Sequence, residues 1–176
     1  MYLTYKNLLI RNATKDDAEQ LSIWWNDGKI MAHAGFPNGT GQTVQDISDS
    51  LQNDTDDTHR RLIIEIDNLA VGEMNYRNKG DGVAEIGIKI CDFSKQNQGN
   101  GKILLSMLIH SLYKDFGFKK IILDTNLKNK RAQHIYEQLG FTQLRVNKDA
   151  WIDQVGERQS SVDYALYPAD FRNFAT

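Results

Sequence analysis

A chain of 176 residues that is 40% hydrophobic and 25% charged has the size and make-up of one folded domain, which excludes the disordered and collagen-like classes. One cysteine, Cys91, rules out an internal disulfide framework, and no apolar run reaches the roughly 20 residues of a membrane helix. With no signal-peptide core at the N-terminus, the expectation is a cytoplasmic single domain over residues 1–176, without a membrane partner.

Taken in chain order, Leu8-Leu9-Ile10-Arg11 reads as a short strand. Thr14 with Asp17 three residues on opens a helix that carries Leu21, Trp24 and Trp25, and Asp27-Gly28 ends it. Gly35 to Gly41 is a flexible loop by composition. Thr43 and Asp46 form a capping pair for a second helix, with Ile47 and Leu51 on its buried face. Three strands follow, Arg61 to Ile66, Leu69 to Tyr76 and Val83 to Ile90, joined at Asp67-Asn68 and at Gly80-Asp81-Gly82. The period then changes. Lys102 to Phe116 is an apolar helix, Ile121 to Thr125 a strand, and Asn129 to Leu139 an amphipathic helix closed by Gly140. Phe141 to Val146 and Val162 to Tyr167 are late strands. The order implies an α+β fold: a mixed, mostly antiparallel central sheet with helices on both faces.

The net charge of −2 conceals an asymmetry. Lys95 to Arg131 holds eight basic and two acidic residues, so the rest of the chain carries an acidic excess of eight. That pattern suits an anionic ligand on the basic segment and a cationic one elsewhere. No long basic stripe interleaves with aromatics, so nucleic acid is not an expected partner.

The turn Gln96-Asn97-Gln98-Gly99-Asn100-Gly101-Lys102 lies between a strand and the long apolar helix. Successive main-chain N–H groups at such a helix N-terminus make a cradle for phosphate. A P-loop would need Ser or Thr where Ile103 stands, and a dinucleotide-binding fingerprint would need a third glycine where Leu104 stands.

Gln96-x-x-Gly99-x-Gly101 followed by Asn129-x-x-Ala132-x-x-x-Tyr136-x-x-x-Gly140-Phe141 resembles the GNAT acyl-CoA N-acyltransferase superfamily. The order of elements from Leu8 to Tyr167 is similar to that family as well. Ala84-Glu85-Ile86-Gly87-Ile88 ahead of these motifs resembles the bacterial branch with ribosomal-protein, polyamine and aminoglycoside acetyltransferases. The resemblance implies acetyl-CoA as co-substrate, with its pyrophosphate on Gln98, Gly99, Asn100, Gly101 and Lys102 after Gln96. It implies a strand from Ile86 to Ile90 splayed from Ile121 to Thr125. The pantetheine arm would bond Ile88 and Ile90 along that gap, beside Asn129 and Ala132.

Chemistry follows from the acceptor. An alkyl ammonium with a pKa near ~10.4 is neutral to only ~10⁻³·⁴ at pH 7, a handicap of roughly 4.6 kcal/mol, so a base is needed. Glu85, across its strand from the aliphatic residues, is the first candidate; it reads almost as well as a solvated acid paired with Lys89 or Arg77. Glu73 and Asp92 are lesser candidates. Tyr136, where the family places a tyrosine, is the expected acid for the departing thiolate, its alternative being a packed aromatic. The acceptor side draws on Trp24, Trp25, Phe36, Tyr76 and Trp151, which suit an amine through cation–π contact and equally suit plain packing. The expected acceptor is a small polycation or aminoglycoside, with a polyamine, a protein N-terminus or a non-catalytic acyl-CoA-binding module as alternatives. Cys91 has no histidine near it in sequence and reads as a structural thiol. The four histidines show no metal-ligand spacing, so no metal is expected, and the assembly is a monomer or homodimer.

Overall fold

The computed structural model describes residues 1–176 as one eight-stranded sheet, in the order β1-β2-β3-β4-β5-β6-β8-β7, with helices on both faces. The strands are β1 (Tyr2–Tyr5), β2 (Leu8–Asn12), β3 (His59–Ile66), β4 (Leu69–Asn78), β5 (Val83–Ile90), β6 (Lys120–Asn126), β7 (Thr142–Ile152) and β8 (Arg158–Leu166). The helices are α1 (Ala18–Trp25), α2 (Gly28–Met31), α3 (Val44–Leu51), α4 (Asn100–Lys114) and α5 (Lys130–Leu139). Every strand pair is antiparallel except β5 with β6.

Local chemistry accounts for these elements. Both Asp67 and Asn68 adopt the left-handed conformation (φ 54° and 63°), which a tight hairpin with matching twist requires. Thr43 and Asp46 form the reciprocal capping box of α3. Gly140 ends α5 with φ 99°. One sheet face carries Ile10, Leu62, Ile64, Met74, Ala84, Ile86, Ile121 and Leu123 into the larger core beneath α4 and α5. The opposite face carries Ile63 and Cys91 into a smaller core with Leu21 and Trp24 of α1 and Ile47 and Leu51 of α3.

Four features depart from the sequence reading. An edge strand, β1, precedes the first expected one. Asp27-Gly28 does not simply stop a helix: the Asp27 carboxylate accepts from Lys29 N–H at 2.8 Å and starts α2, followed by a 3-10 turn over Ala32–Ala34. The late strands reach Ile152 and Arg158 because β7 and β8 continue as a hairpin arm beyond the core. The arm pins the Gly35 to Gly41 loop. Gln154 donates to Gly39 O and accepts from Asn38 N–H (both 2.9 Å), and the Gln154 N–H donates to Gly35 O at 2.9 Å.

Candidate active site

β5 and β6 pair only through Val83–Lys120, Ala84–Ile121 and Glu85–Ile122. Beyond that point β5 stays with β4 and β6 stays with β8, so the two strands part. The splayed pair expected from the sequence is therefore present, and the gap opens a cavity of about 600 Å³. Residues Ile86 to Ile90 make no ladder bonds on their β6 side, which leaves an open strand edge within the cavity.

One end of this slot is a phosphate-sized cradle. Main-chain N–H groups from Asn97 to Lys102 have no acceptor within the protein. Asn97 (φ 59°) and Gly99 (φ 79°) take left-handed conformations that aim these donors together where α4 begins. A Cβ on Gly101 would touch nothing closer than Ile135 and Ile90 at 3.8 Å. Internal packing therefore does not demand glycine there; the slot that Gly101 lines is what a side chain would occupy. The Gln96 amide donates to Ile90 O at 2.7 Å and its oxygen accepts from Arg131 at 3.0 Å, which ties the end of β5 to the first turn of α5. Asn129 caps α5 by accepting from Ala132 N–H at 3.2 Å.

Of the expected cofactor residues, Ile88, Ile90, Gln96, Gly99, Gly101, Asn129 and Ala132 line the slot. Gln98, Asn100 and Lys102 are outside that lining, though their main-chain N–H groups are among those without an acceptor at the start of α4. Gln98 and Asn100 bond to Ser94 O and Lys95 O, and the Lys102 ammonium lies 4.1 Å from the centre of the Phe174 ring.

Tyr136 lines the slot from α5, with its ring against Tyr164 and Phe141. No protein group bonds its hydroxyl, and burial, with the charge of Asp124 as a smaller cause, pushes its pKa above the usual phenol value. Asp124 of β6 is the one carboxylate in the lining. Leu123 faces the core below α4 and α5, so alternation puts Asp124 on the other sheet face. Its side chain reaches solvent, yet burial among the slot walls, then the charges of Asp163 and Glu85, push its pKa up from the ordinary carboxylate range.

Glu85, the first candidate base, lies outside the lining, and its carboxylate is 3.5 Å from Lys79. Glu73 pairs with Lys89 at 3.3 Å and accepts from Trp25 Nε1 at 2.9 Å. Asp92 caps a 3-10 turn through Ser94. None of these three is a free acid facing the slot.

None of the five aromatic residues expected on the acceptor side lines the slot. Tyr76 is fully buried against Phe116 and Phe118, its hydroxyl donating to Asp56 O at 3.1 Å. Trp24 is a core residue between α1 and α3. Trp25 is half-buried on Glu73, Phe36 sits exposed on the pinned loop, and Trp151 packs against Gly35; none of the three lines the slot. Lys29, Ile30, His33 and Ala34 from α2 and its 3-10 turn line the slot, together with Lys89 and Asp124. Cys91 is buried, with its thiol pushed up to about 12 by burial and, less, by Glu73.

A sheet split at a parallel pair, a bare N–H cradle at one end and an acid and a phenol in the lining are the features of an acyltransferase of the coenzyme A type. The chain matches the Acetyltransferase (GNAT) domain over residues 7–142 and belongs to that family of acyl-CoA-dependent N-acyltransferases. It is similar to a ribosomal protein bS18-alanine N-acetyltransferase of Haemophilus ducreyi, 35% identical over 72 residues, which are 41% of this chain and 49% of that protein. The match thus spans about half of that relative's length. In fold it is similar to a spermidine N-acetyltransferase from Vibrio cholerae in complex with CoA and spermine, with a TM-score of 0.83, 18% identity and coverage of 93% and 97% of the two chains. A ribosomal-protein alpha-N-acetyltransferase in complex with coenzyme A gives a TM-score of 0.84 at 16% identity, covering 95% and 98%. At such identities the likeness is one of fold.

Proposed function

We propose that this chain transfers the acetyl group of acetyl-CoA to a primary amine by direct attack within a ternary complex. The observation that carries the reading is the parting of β5 from β6 just after Glu85–Ile122, with a donor cradle at one end and both Asp124 and Tyr136 in the lining. N–H groups from Asn97 to Lys102 hold the diphosphate, and Gly101 leaves room for it. The open edge of β5 pairs the amide-bearing arm as a strand would be paired. N–H groups near Ile88 to Ile90 polarise the thioester carbonyl.

Asp124 takes the proton from the attacking ammonium. Its raised pKa suits that role, because a carboxylate closer in basicity to the amine accepts the proton more readily. Tyr136, kept protonated by burial, donates to the leaving sulfur. Glu85 and Asp163 act on Asp124 through their charge rather than as bases.

A small polycation or aminoglycoside was the acceptor expected from the acidic excess outside the basic segment. Five of those acids pair with arginines of the same part of the chain, Asp17 and Glu65 with Arg11, Asp54 with Arg61, Asp56 with Arg60 and Asp163 with Arg145; these arginines are already counted in the balance, so the excess stands. Polyamines and protein N-termini, the acceptors in the names of the relatives, belong in the same assay.

Steady-state thiol release from acetyl-CoA over aminoglycosides, spermidine and peptides, with product masses, tests the reading. Turnover on an amine with a gain of one acetyl group supports it. Coenzyme A binding without turnover on any amine identifies an acyl-CoA-binding module, and absence of binding removes the reading entirely.

A further inference from the structure

The charges around the acceptor side of the slot are arranged as a dipole. On one wall, Lys29 and His33 lie one helical turn apart on α2 and its 3-10 extension, both exposed, both lining the slot and neither in an ion pair. Lys89 stands beside them, held by Glu73. The lining offers one carboxylate, Asp124 on β6, which is also unpaired, while the nearby Glu85 and Asp163 are occupied by Lys79 and Arg145.

These side chains do not belong to the diphosphate cradle. That cradle and Arg131 serve α4 and α5 on the large-core face, whereas α2 packs through Ile30 on the small-core face. An amine beside Asp124 therefore has Lys29 and His33 in front of its remaining groups. A second ammonium, as in a polyamine, would meet the Lys29 ammonium there, with no further slot carboxylate to receive it. A negative group would find two unpaired donors.

Resting on the acetyltransferase reading above, we propose that the acceptor is a small primary amine that carries its own anionic group, a carboxylate or a phosphate, seated between Lys29 and His33. Specificity then comes from opposite ends of the acceptor engaging different parts of the lining: the amine on Asp124, the anion on α2.

The test compares matched pairs under saturating acetyl-CoA: L-alanine with L-alaninamide, and glucosamine 6-phosphate with glucosamine, alongside spermidine. The carboxylate pair and the phosphate pair report separately on the two kinds of anion. The expected result is at least a tenfold higher kcat/KM for the anionic member of one pair, with spermidine poorer than that member. In Lys29→Glu the preference ratio should fall toward one, while calorimetry with coenzyme A confirms that the variant is folded and loaded. Preference for spermidine or for the uncharged members, or a ratio untouched by Lys29→Glu, overturns this proposal and leaves the acetyltransferase reading standing. Coenzyme A binding with no turnover on any of these amines or on the peptides and aminoglycosides above overturns both.

Discussion

Asp124 and Asp163 lie directly opposite each other in the β6–β8 ladder, and only Asp163 has cationic and amide partners, Arg145 at 2.8 Å and Asn147 at 3.0 Å. Asp163 is thus held as a carboxylate beside an unpaired neighbour, and opposed like charges raise the proton affinity of the one left free. If Asp124 is the base, activity rises with pH through its raised pKa. Removing a neighbouring negative charge lowers that pKa, so Glu85→Gln and Asp163→Asn should each move the acidic limb of the kcat/KM profile to lower pH without abolishing turnover. Asp124→Asn should cost about 10²-fold or more in kcat. A full loss of activity in Glu85→Gln would return the base role to Glu85.

The same residue links activity to stability. A carboxyl whose folded pKa exceeds its unfolded value binds protons more tightly in the native state, so its ionisation weakens the fold as pH rises through the folded value. Asp124→Asn should therefore raise the melting temperature at neutral pH. The gain should vanish below the unfolded carboxyl range, where both states are protonated, and thermal melts at pH 3 and pH 7.5 compare the two regimes.

Tyr136 has its pKa raised above the ordinary phenol value, so it stays protonated across the working range. Tyr136→Phe keeps the ring contacts with Tyr164 and Phe141 and removes only the hydroxyl. The expected outcome is a drop in kcat of about 10²-fold, with the coenzyme A dissociation constant by calorimetry unchanged within about twofold. Equal loss of binding and rate would reduce the residue to packing.

Much of the fold was legible because its signals are local. Capping at Thr43, the left-handed Asp67-Asn68 turn and the switch from strand to helix period after Ile90 each depend on neighbouring residues. The slot residues on α4 and α5 were legible through motif spacing, since helical spacing fixes which side chains share a face. The acceptor wall was not. α2 has only four residues, too few to show a period, and its Lys29 meets the slot because Pro37 packs against Gly28. Asp124 looked like one polar residue in a short apolar strand; its isolation arises from β8, which the chain reaches more than thirty residues later. Tyr76 misled because an aromatic on a strand reads alike whichever face is buried.

Gly101 separates the demands of folding from those of binding. A Cβ there has ordinary contacts at 3.8 Å, and alanine is favoured over glycine in a helix by roughly 0.5–1 kcal/mol. Gly101→Ala should therefore leave the melting temperature equal or higher while raising the KM for acetyl-CoA. Gly99→Ala meets no atom within 4 Å but must hold φ 79°, which costs about 1 kcal/mol. It should lower the melting temperature.

Gln154 offers a test of the acceptor wall that leaves the slot lining untouched. Its amide closes the hairpin arm onto Asn38 and Gly39, and the loop they belong to supplies Pro37, whose carbonyl leaves no space for a Cβ on Gly28 at the start of α2. Gln154→Ala removes both side-chain bonds, a loss of about 1 kcal/mol each, and frees the loop to move with α2. The KM for the amine should rise by about fivefold, while the KM for acetyl-CoA, set on the other sheet face, stays constant. Hydrogen exchange at Asn38 N–H should speed up in the same variant. Faster exchange with an unchanged amine KM would separate the loop from the acceptor, and α2 would then hold its position through Ile30, Met31 and Lys89 without the loop.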